Sequence, residues 1–305
     1  MISVVVCTYN RSDVLQHMLE SFFAQACLDT IDHELLVVDN NSSDDTRKVV
    51  ERFSGHPTLR YLFEPRQGLS CARNRGVTEA RGEIISFLDD DVTVDAHWLE
   101  NIKKCFDETH ADVVGGRSYL IFATPPPRWL QGIFRMALAE VNLGDSRIFQ
   151  PSATRLYGLN LSFRTTALTS CGTFSESLGR KGSQLLSGEE TAMIRHIQEL
   201  GGIVVYEPNA IVGHIMPPDR STWSYFSRHS VGTGRTWARF EAPGGLLVRL
   251  RRVLTAFYRL LRSALVLVVK LPTGSYGRRL ALSRLYTSWG LVAERLNYLF
   301  RTRAG

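Results

Sequence analysis

Three short apolar runs, at residues 2–7, 34–38 and 59–63, alternate with helical patterns at about 12–24, 44–53 and 70–80. Repeated strand-then-helix units require a parallel sheet with right-handed crossovers, because parallel neighbours cannot be joined by a tight turn. Ligands of such sheets bind beyond the carboxyl ends of the strands. Those ends read Thr8-Tyr9-Asn10-Arg11, Asp39-Asn40-Asn41-Ser42, Glu64-Pro65-Arg66-Gln67-Gly68 and, after a fourth buried run at 84–88, Asp89-Asp90-Asp91. All four polar clusters are expected on one rim.

The carboxylate triplet is the most pointed of these. Carboxylates at a strand mouth cannot be buried unpaired without a cost of several kcal/mol, so they face water or a cation. Hard oxygen donors suit magnesium or manganese, ions that commonly complete their shells with substrate phosphates. A solvated turn is the alternative for the triplet alone.

A helix at about 96–108 and a strand at 112–116 follow, and then the pattern loosens. Pro125-Pro126-Pro127 excludes helix interior and central strand, so residues 117–155 read as an insertion over one sheet edge. Residues 157–163 alternate like a strand, and the Gly-rich stretch Gly179-Arg180-Lys181-Gly182-Ser183 leads to a helix opening at Ser187-Gly188-Glu189-Glu190. Gly201-Gly202 ends that helix before a strand at 203–206, and no internal repeat is visible.

The chain has 305 residues and is 44% hydrophobic, enough for a full α/β core. Its net charge of +6 hides a division: residues 246–305 hold twelve Arg and Lys against the single acid Glu294, whereas the first 245 are net −5. Five widely spaced cysteines without a C-x-x-C pair argue against a disulfide framework or zinc site, so a reducing, cytosolic setting is expected. The first residues enter a strand at once, without the basic start and apolar length of a secretory signal.

The segments 4–11, 37–42, Ala72-Arg73-Asn74-Arg75-Gly76, Leu88-Asp89-Asp90-Asp91 and Gly188-Glu189-Glu190, taken in order, resemble family 2 glycosyltransferases of the GT-A fold over residues 1 to about 215. The resemblance implies that Thr8, Tyr9 and Arg11 border the nucleotide base and ribose and that Asp39 accepts a hydrogen bond from the base. An ionised Asp is acceptor-only, which suits an imino N–H donor; a turn residue capping the following helix is the alternative. Arg73 and Asn74 would face the sugar or diphosphate, Arg73 otherwise being a solvated helix residue. The triplet corresponds to the family's D-x-D motif, with Asp89 and Asp90 on the donor side and Asp91 as ligand to Mn2+ or Mg2+. His214 would lie near the metal or diphosphate, unless it is an ordinary strand-end histidine. Leu159-Asn160-Leu161 resembles the segment flanking the acceptor pocket.

The reaction implied needs a base for the acceptor hydroxyl. A carboxylate at a helix N-terminus can serve, and Glu189 and Glu190 both sit there, diverging by about 100° so that one faces the cleft. The family pattern points to Glu190; if Glu190 instead closes a capping box on Ser187, the base is Glu189. The Gly-rich loop would order over bound donor or remain an inert surface loop.

On a helical wheel, residues 249–270 separate an apolar face (Leu250, Val253, Leu254, Phe257, Leu260, Leu261) from Arg251, Arg252, Arg259, Arg262 and Lys270. The segment is too short in uncharged length to span a bilayer. It reads as an interfacial helix on an anionic membrane surface, or else as a helix packed on the catalytic domain or a second subunit. Residues 280–300 read as a second such helix. Nucleic acid is not expected, because the arginines are not interleaved with stacking aromatics.

The expected architecture is therefore α/β: a Rossmann-like mixed sheet of GT-A type flanked by helices at 1–220, divided into a nucleotide-binding half at 1–116 and an acceptor half at 117–220. A basic helical region follows at 221–305. The expected activity is inverting transfer of a sugar from a nucleotide-sugar donor to a saccharide or lipid-linked acceptor, by a cytoplasmic protein peripheral on the membrane, with homo-oligomerisation open. The rivals are a catalytically silent nucleotide-binding membrane scaffold and a sugar nucleotidyltransferase, though the latter needs a Gly-rich phosphate loop that Thr8-Tyr9-Asn10 does not supply.

Overall fold

The structure, a computed structural model, describes residues 1–182, 184–241, 244–272 and 274–301; Ser183 of the Gly-rich loop and residues 302–305 of the basic region lie outside them. In chain order the first elements are β1 (Ile2–Thr8), α1 (Ser12–Phe23), β2 (His33–Asp39), α2 (Thr46–Glu51), β3 (Leu59–Phe63), α3 (Leu69–Glu79), β4 (Ile84–Asp89), β5 (Val92–Val94), α4 (Trp98–Thr109) and β6 (Val113–Phe122). There follow α5 (Ile133–Met136), β7 (Ile148–Phe149), β8 (Asn160–Arg164), α6 (Thr165–Ser170), α7 (Glu189–Glu199), β9 (Val204–Met216), α8 (Trp223–Arg239), α9 (Leu246–Lys270) and α10 (Ser275–Arg301).

The sheet order is β3-β2-β1-β4-β8-β6-β9-β5, with β7 also paired to β9. β1 pairs in parallel with β2 and β4, and β8 runs antiparallel to both β4 and β6, so the sheet is mixed. Strands covered on both faces should be apolar throughout. Accordingly Val4 and Val6 pack with Leu15, Met18 and Phe22 of α1, while Val5 joins Leu36, Phe87 and Phe163 with Met193, Ile194 and Ile197 of α7 on the other side.

Two expectations about the middle of the chain change. Strand β6 does not stop at residue 116 but continues to Phe122, in parallel register with β9 across a shift between Gly116 and Arg117. No boundary between halves falls there, because one ladder crosses it. Asn160 makes the shift tolerable: its amide nitrogen donates to Arg117 O at 3.0 Å and Ala210 O at 2.8 Å, and its oxygen accepts from Trp98 Nε1 at 2.9 Å. Gly116 is required at this point, since a Cβ would lie 2.2 Å from Ala210 O.

The chain divides into two compact units, Met1–Phe122 with Arg135–Glu176 and Glu189–Met216, and Ala123–Phe134 with Ser177–Gly188 and Pro217 onward. The second unit thus differs from the expected 221–305: it begins at Ala123, takes in 123–134 and 177–188, and resumes at Pro217. Its apolar rings explain the first of these additions: Trp129 and Phe134 stack edge-on with Trp223 and Phe226. Within this unit α8 and α10 approach closely, because Gly234 and Gly290 present bare backbone; a Cβ on Gly234 would lie 1.9 Å from Thr287 O. Helix α10 is therefore no free amphipathic helix, and it buries Ala281, Leu291 and Val292. No helix among the described residues is long and apolar enough to cross a membrane. All five cysteines are free.

Candidate active site

Strand register builds the rim. Thr8 pairs with Asp39 across β1 and β2, and Cys7 with Asp89 across β1 and β4, so the carboxyl ends of three adjacent strands finish side by side. Burial pushes the Cys7 thiol up to about 12, which leaves it without thiolate chemistry at neutral pH. Thr8 is buried and Tyr9 exposed. The chain then turns through Asn10 in the left-handed region, at φ 51, and the Asn10 side chain accepts from Ser43 N at 2.7 Å.

The carboxylate triplet is held by two different devices. The two-stranded pairing of β5 with β9 sets Val92 opposite His214, and Ile215 N donates to Asp91 O at 2.8 Å. That ladder brings the Asp91 carboxylate within 3.2 Å of His214 Nε2. From the other side one Arg11 nitrogen, Nη1, reaches Asp90 Oδ1 at 2.8 Å and Asp91 Oδ2 at 2.7 Å. Burial raises the Asp90 carboxyl above its ordinary range, with Arg11 offsetting part of the effect and Asp91 adding to it. Arg11, expected beside base and ribose, is here the counter-charge of the triplet.

The His214 ring is oriented by its other nitrogen, Nδ1, which lies 3.0 Å from Leu138 O. A carbonyl only accepts, so Nδ1 carries hydrogen. On a neutral ring Nε2 is then a lone pair facing a carboxylate oxygen. Two acceptors at that distance need a proton or a cation between them, the arrangement of a metal-binding imidazole oriented from behind. No group of three or more His, Cys, Asp or Glu side chains able to hold an ion occurs among the described residues. One carboxylate and one imidazole fit Mn2+ or Mg2+ when a bound phosphate supplies the remaining oxygens.

Three expected donor contacts are engaged within the protein. Asp39 accepts from Ser42 N at 2.8 Å and from Tyr61 Oη at 2.7 Å, so it braces the turn after β2 without capping α2, whose N-cap is Asp45, and each oxygen keeps a second lone pair. Asn74 is paired twice with the Phe174 backbone, donating to its carbonyl at 2.9 Å and accepting from its N–H at 2.8 Å. Arg73 is neither solvated nor at the surface: it is 4% exposed, pairs with Glu189 at 2.5 Å and lies 3.7 Å from Asp89. Sequence reading missed Tyr61 and Phe174, whose signals are contacts between distant segments.

Glu189 and Glu190 open α7 and are both buried. Oε2 of each lacks a hydrogen-bond partner among the described residues. The Ser187 N–H donates to Thr236 Oγ1 rather than closing a capping box. Burial first and the Glu189 charge second push Glu190 well above the ordinary carboxylate range, with Arg73 offsetting part. The site thus holds a cation-ready pair at Asp91 and His214, and a carboxylate whose proton affinity is high. Arg73 links Asp89 of one group to Glu189 of the other.

The family model described as "Glycosyl transferase family 2" matches residues 3–174. The succinoglycan biosynthesis protein ExoM of Rhizobium meliloti is 28% identical over 79% of this chain and 75% of its own length. The glucosyl-dolichyl phosphate glucuronosyltransferase of Haloferax volcanii is 25% identical over 70% of this chain and 68% of its own. Among solved structures, the mannosyltransferase PcManGT from Pyrobaculum calidifontis, in complex with GDP-Man and Mn2+, superposes with a TM-score of 0.59 at 18% identity. It covers 100% of this chain and 75% of its own. That likeness shows the shared fold, GT-A.

Proposed function

This chain belongs to glycosyl transferase family 2, and we propose that it moves a sugar from a nucleotide-sugar donor to a saccharide or lipid-linked acceptor with inversion at the anomeric carbon. The observation that carries the reading is the facing pair Asp91 and His214, 3.2 Å apart at the strand ends. The naming of GDP-Man and Mn2+ in the Pyrobaculum complex supports a metal-bound nucleotide sugar. A dolichyl phosphate in the Haloferax enzyme's name supports a lipid-linked acceptor.

In this proposal Thr8, Tyr9 and Asp39 border the nucleotide, and Asp89 and Asp90 lie toward the ribose and diphosphate. Arg11 supplies the counter-charge that lets Asp90 and Asp91 sit buried there. A bound Mn2+ or Mg2+, held by Asp91 and His214, would neutralise charge developing on the departing nucleoside diphosphate. Glu190 receives the proton of the acceptor hydroxyl at Oε2 as that oxygen attacks the anomeric carbon. A base whose proton affinity approaches the operating pH combines the correct protonation state with a strong driving force. Arg73 pairs with Glu189 and so keeps that carboxylate turned from the acceptor. One displacement from the face opposite the leaving group inverts the centre. The chain works as a peripheral protein at the cytoplasmic face of a membrane, on an anionic surface.

Calorimetric titration with UDP, GDP, dTDP and CDP, each with and without Mn2+, tests the donor site. One nucleotide is expected to bind with Mn2+ only, and Asp91→Ala is expected to abolish that binding. Binding of none, or binding indifferent to Asp91, would contradict the reading.

A further inference from the structure

Helix α9 carries two apolar faces, and the fold uses one. Ala256 is buried toward α10 with Leu260 beside it, and Val253 is buried as well. In contrast Leu250, Leu254, Phe257, Leu261, Leu265 and Val268 are 40–69% exposed. At 100° per residue these six fall within an arc of about 80°, and over some five turns they form a stripe about 27 Å long. The single broad face expected from the sequence is therefore split, one part packed and one part presented. A contiguous apolar stripe of this size marks an interaction surface.

Charge indicates what covers it. The helix contains no acid between Leu246 and Lys270; at 100° per residue the exposed Arg251 and Arg262 lie about 40° and 60° beyond one edge of the stripe, with Arg259 further round on the same side. A second copy docking face to face would set like arginines against one another with no carboxylate on the helix to receive them, which is unfavourable. An anionic lipid surface receives both features at once, acyl chains against the stripe and headgroups against the flank. We infer that the outer face of α9 is a lipid-inserting surface that lays this helix flat in the headgroup region of an anionic membrane. The inference deepens the proposed function by naming the membrane partner of that reading and the face that meets it, but its surface argument stands on α9 alone.

The test pellets the full chain with vesicles of neutral phosphatidylcholine, or of phosphatidylcholine mixed with anionic phosphatidylglycerol, at physiological ionic strength. The wild type is expected to pellet with the anionic vesicles and stay in solution with the neutral ones. Leu254→Glu with Leu261→Glu should abolish pelleting. Arg251→Gln, Arg259→Gln and Arg262→Gln together should weaken partitioning about a hundredfold. Phe149→Ser, which removes an exposed ring (58% exposed) from the sheet unit, should change nothing. Melting curves and nucleotide titration on each variant separate a lost membrane face from a lost fold or a dead donor site. Failure of the wild type to pellet with anionic vesicles overturns the inference, as does a lipid-free dimer that Leu254→Glu dissolves.

Discussion

Glu190 and Glu189 are neighbours with opposite situations. Glu189 Oε1 is paired with the Arg73 guanidinium inside the protein, whereas Glu190 has Arg73 only as a nearby charge; Oε2 of each meets no hydrogen-bond donor among the described residues. A carboxyl held above its ordinary range favours the folded state most below the unfolded value, and that contribution is lost as pH rises through the folded value. Wild type should therefore melt below Glu190→Gln in alkali, with the gap closing as pH falls into the ordinary carboxylate range. Parallel melting curves at all pH values would contradict the burial described. The sequence placed both carboxylates at one helix start, because the helix signal is local. It could not assign their partners, since Arg73 lies 116 residues from Glu189 and Asn74 lies 100 from Phe174. Residue types at strand ends were legible, whereas the side chains that occupy them were not.

At the scale of elements, the alternating first part of the chain was read almost as it folds, whereas short elements such as β5, α5, β7 and α6 escaped. Strand β5 has only three residues and no pattern of its own; it forms because β9 offers it a partner beside His214. Helix α8 contains Gly232 and Gly234 among several serines, a composition that disfavours an isolated helix. Tertiary contact reverses the penalty, since the missing side chain of Gly234 admits α10 and that of Gly232 admits the Leu185 backbone, and Ser230 and Ser283 share a hydrogen bond at 2.8 Å. Gly234→Ala should consequently lower stability by about 1–3 kcal/mol through overpacking. Gly55→Ala, with nothing within 4 Å of the added carbon, should be near neutral. Equal denaturation midpoints for the two variants would show that the close approach is not needed.

At the scale of the molecule, the change of charge near residue 245 falls inside the second unit, which already holds α8. The acidic part supplies the mixed sheet and its rim of carboxylates, and the basic part supplies helices α9 and α10. What composition could not reveal is that segments 123–134 and 177–188 belong with the helices, because the first joins through aromatic packing around Trp223 and the second through hydrogen bonds from Arg239 to Ser177 O and from Ser187 N to Thr236, not by sequence order. The account joins the rim and α7 into one reaction site, with Asp91 and His214 on the donor side and Glu190 on the acceptor side. The measurement that tests this most directly compares sugar transfer by wild type and Glu190→Gln, using the nucleotide sugar identified by titration. The account predicts unchanged Mn2+-dependent donor binding with transfer reduced by about 10²–10⁴-fold. Transfer at the wild-type rate would contradict it.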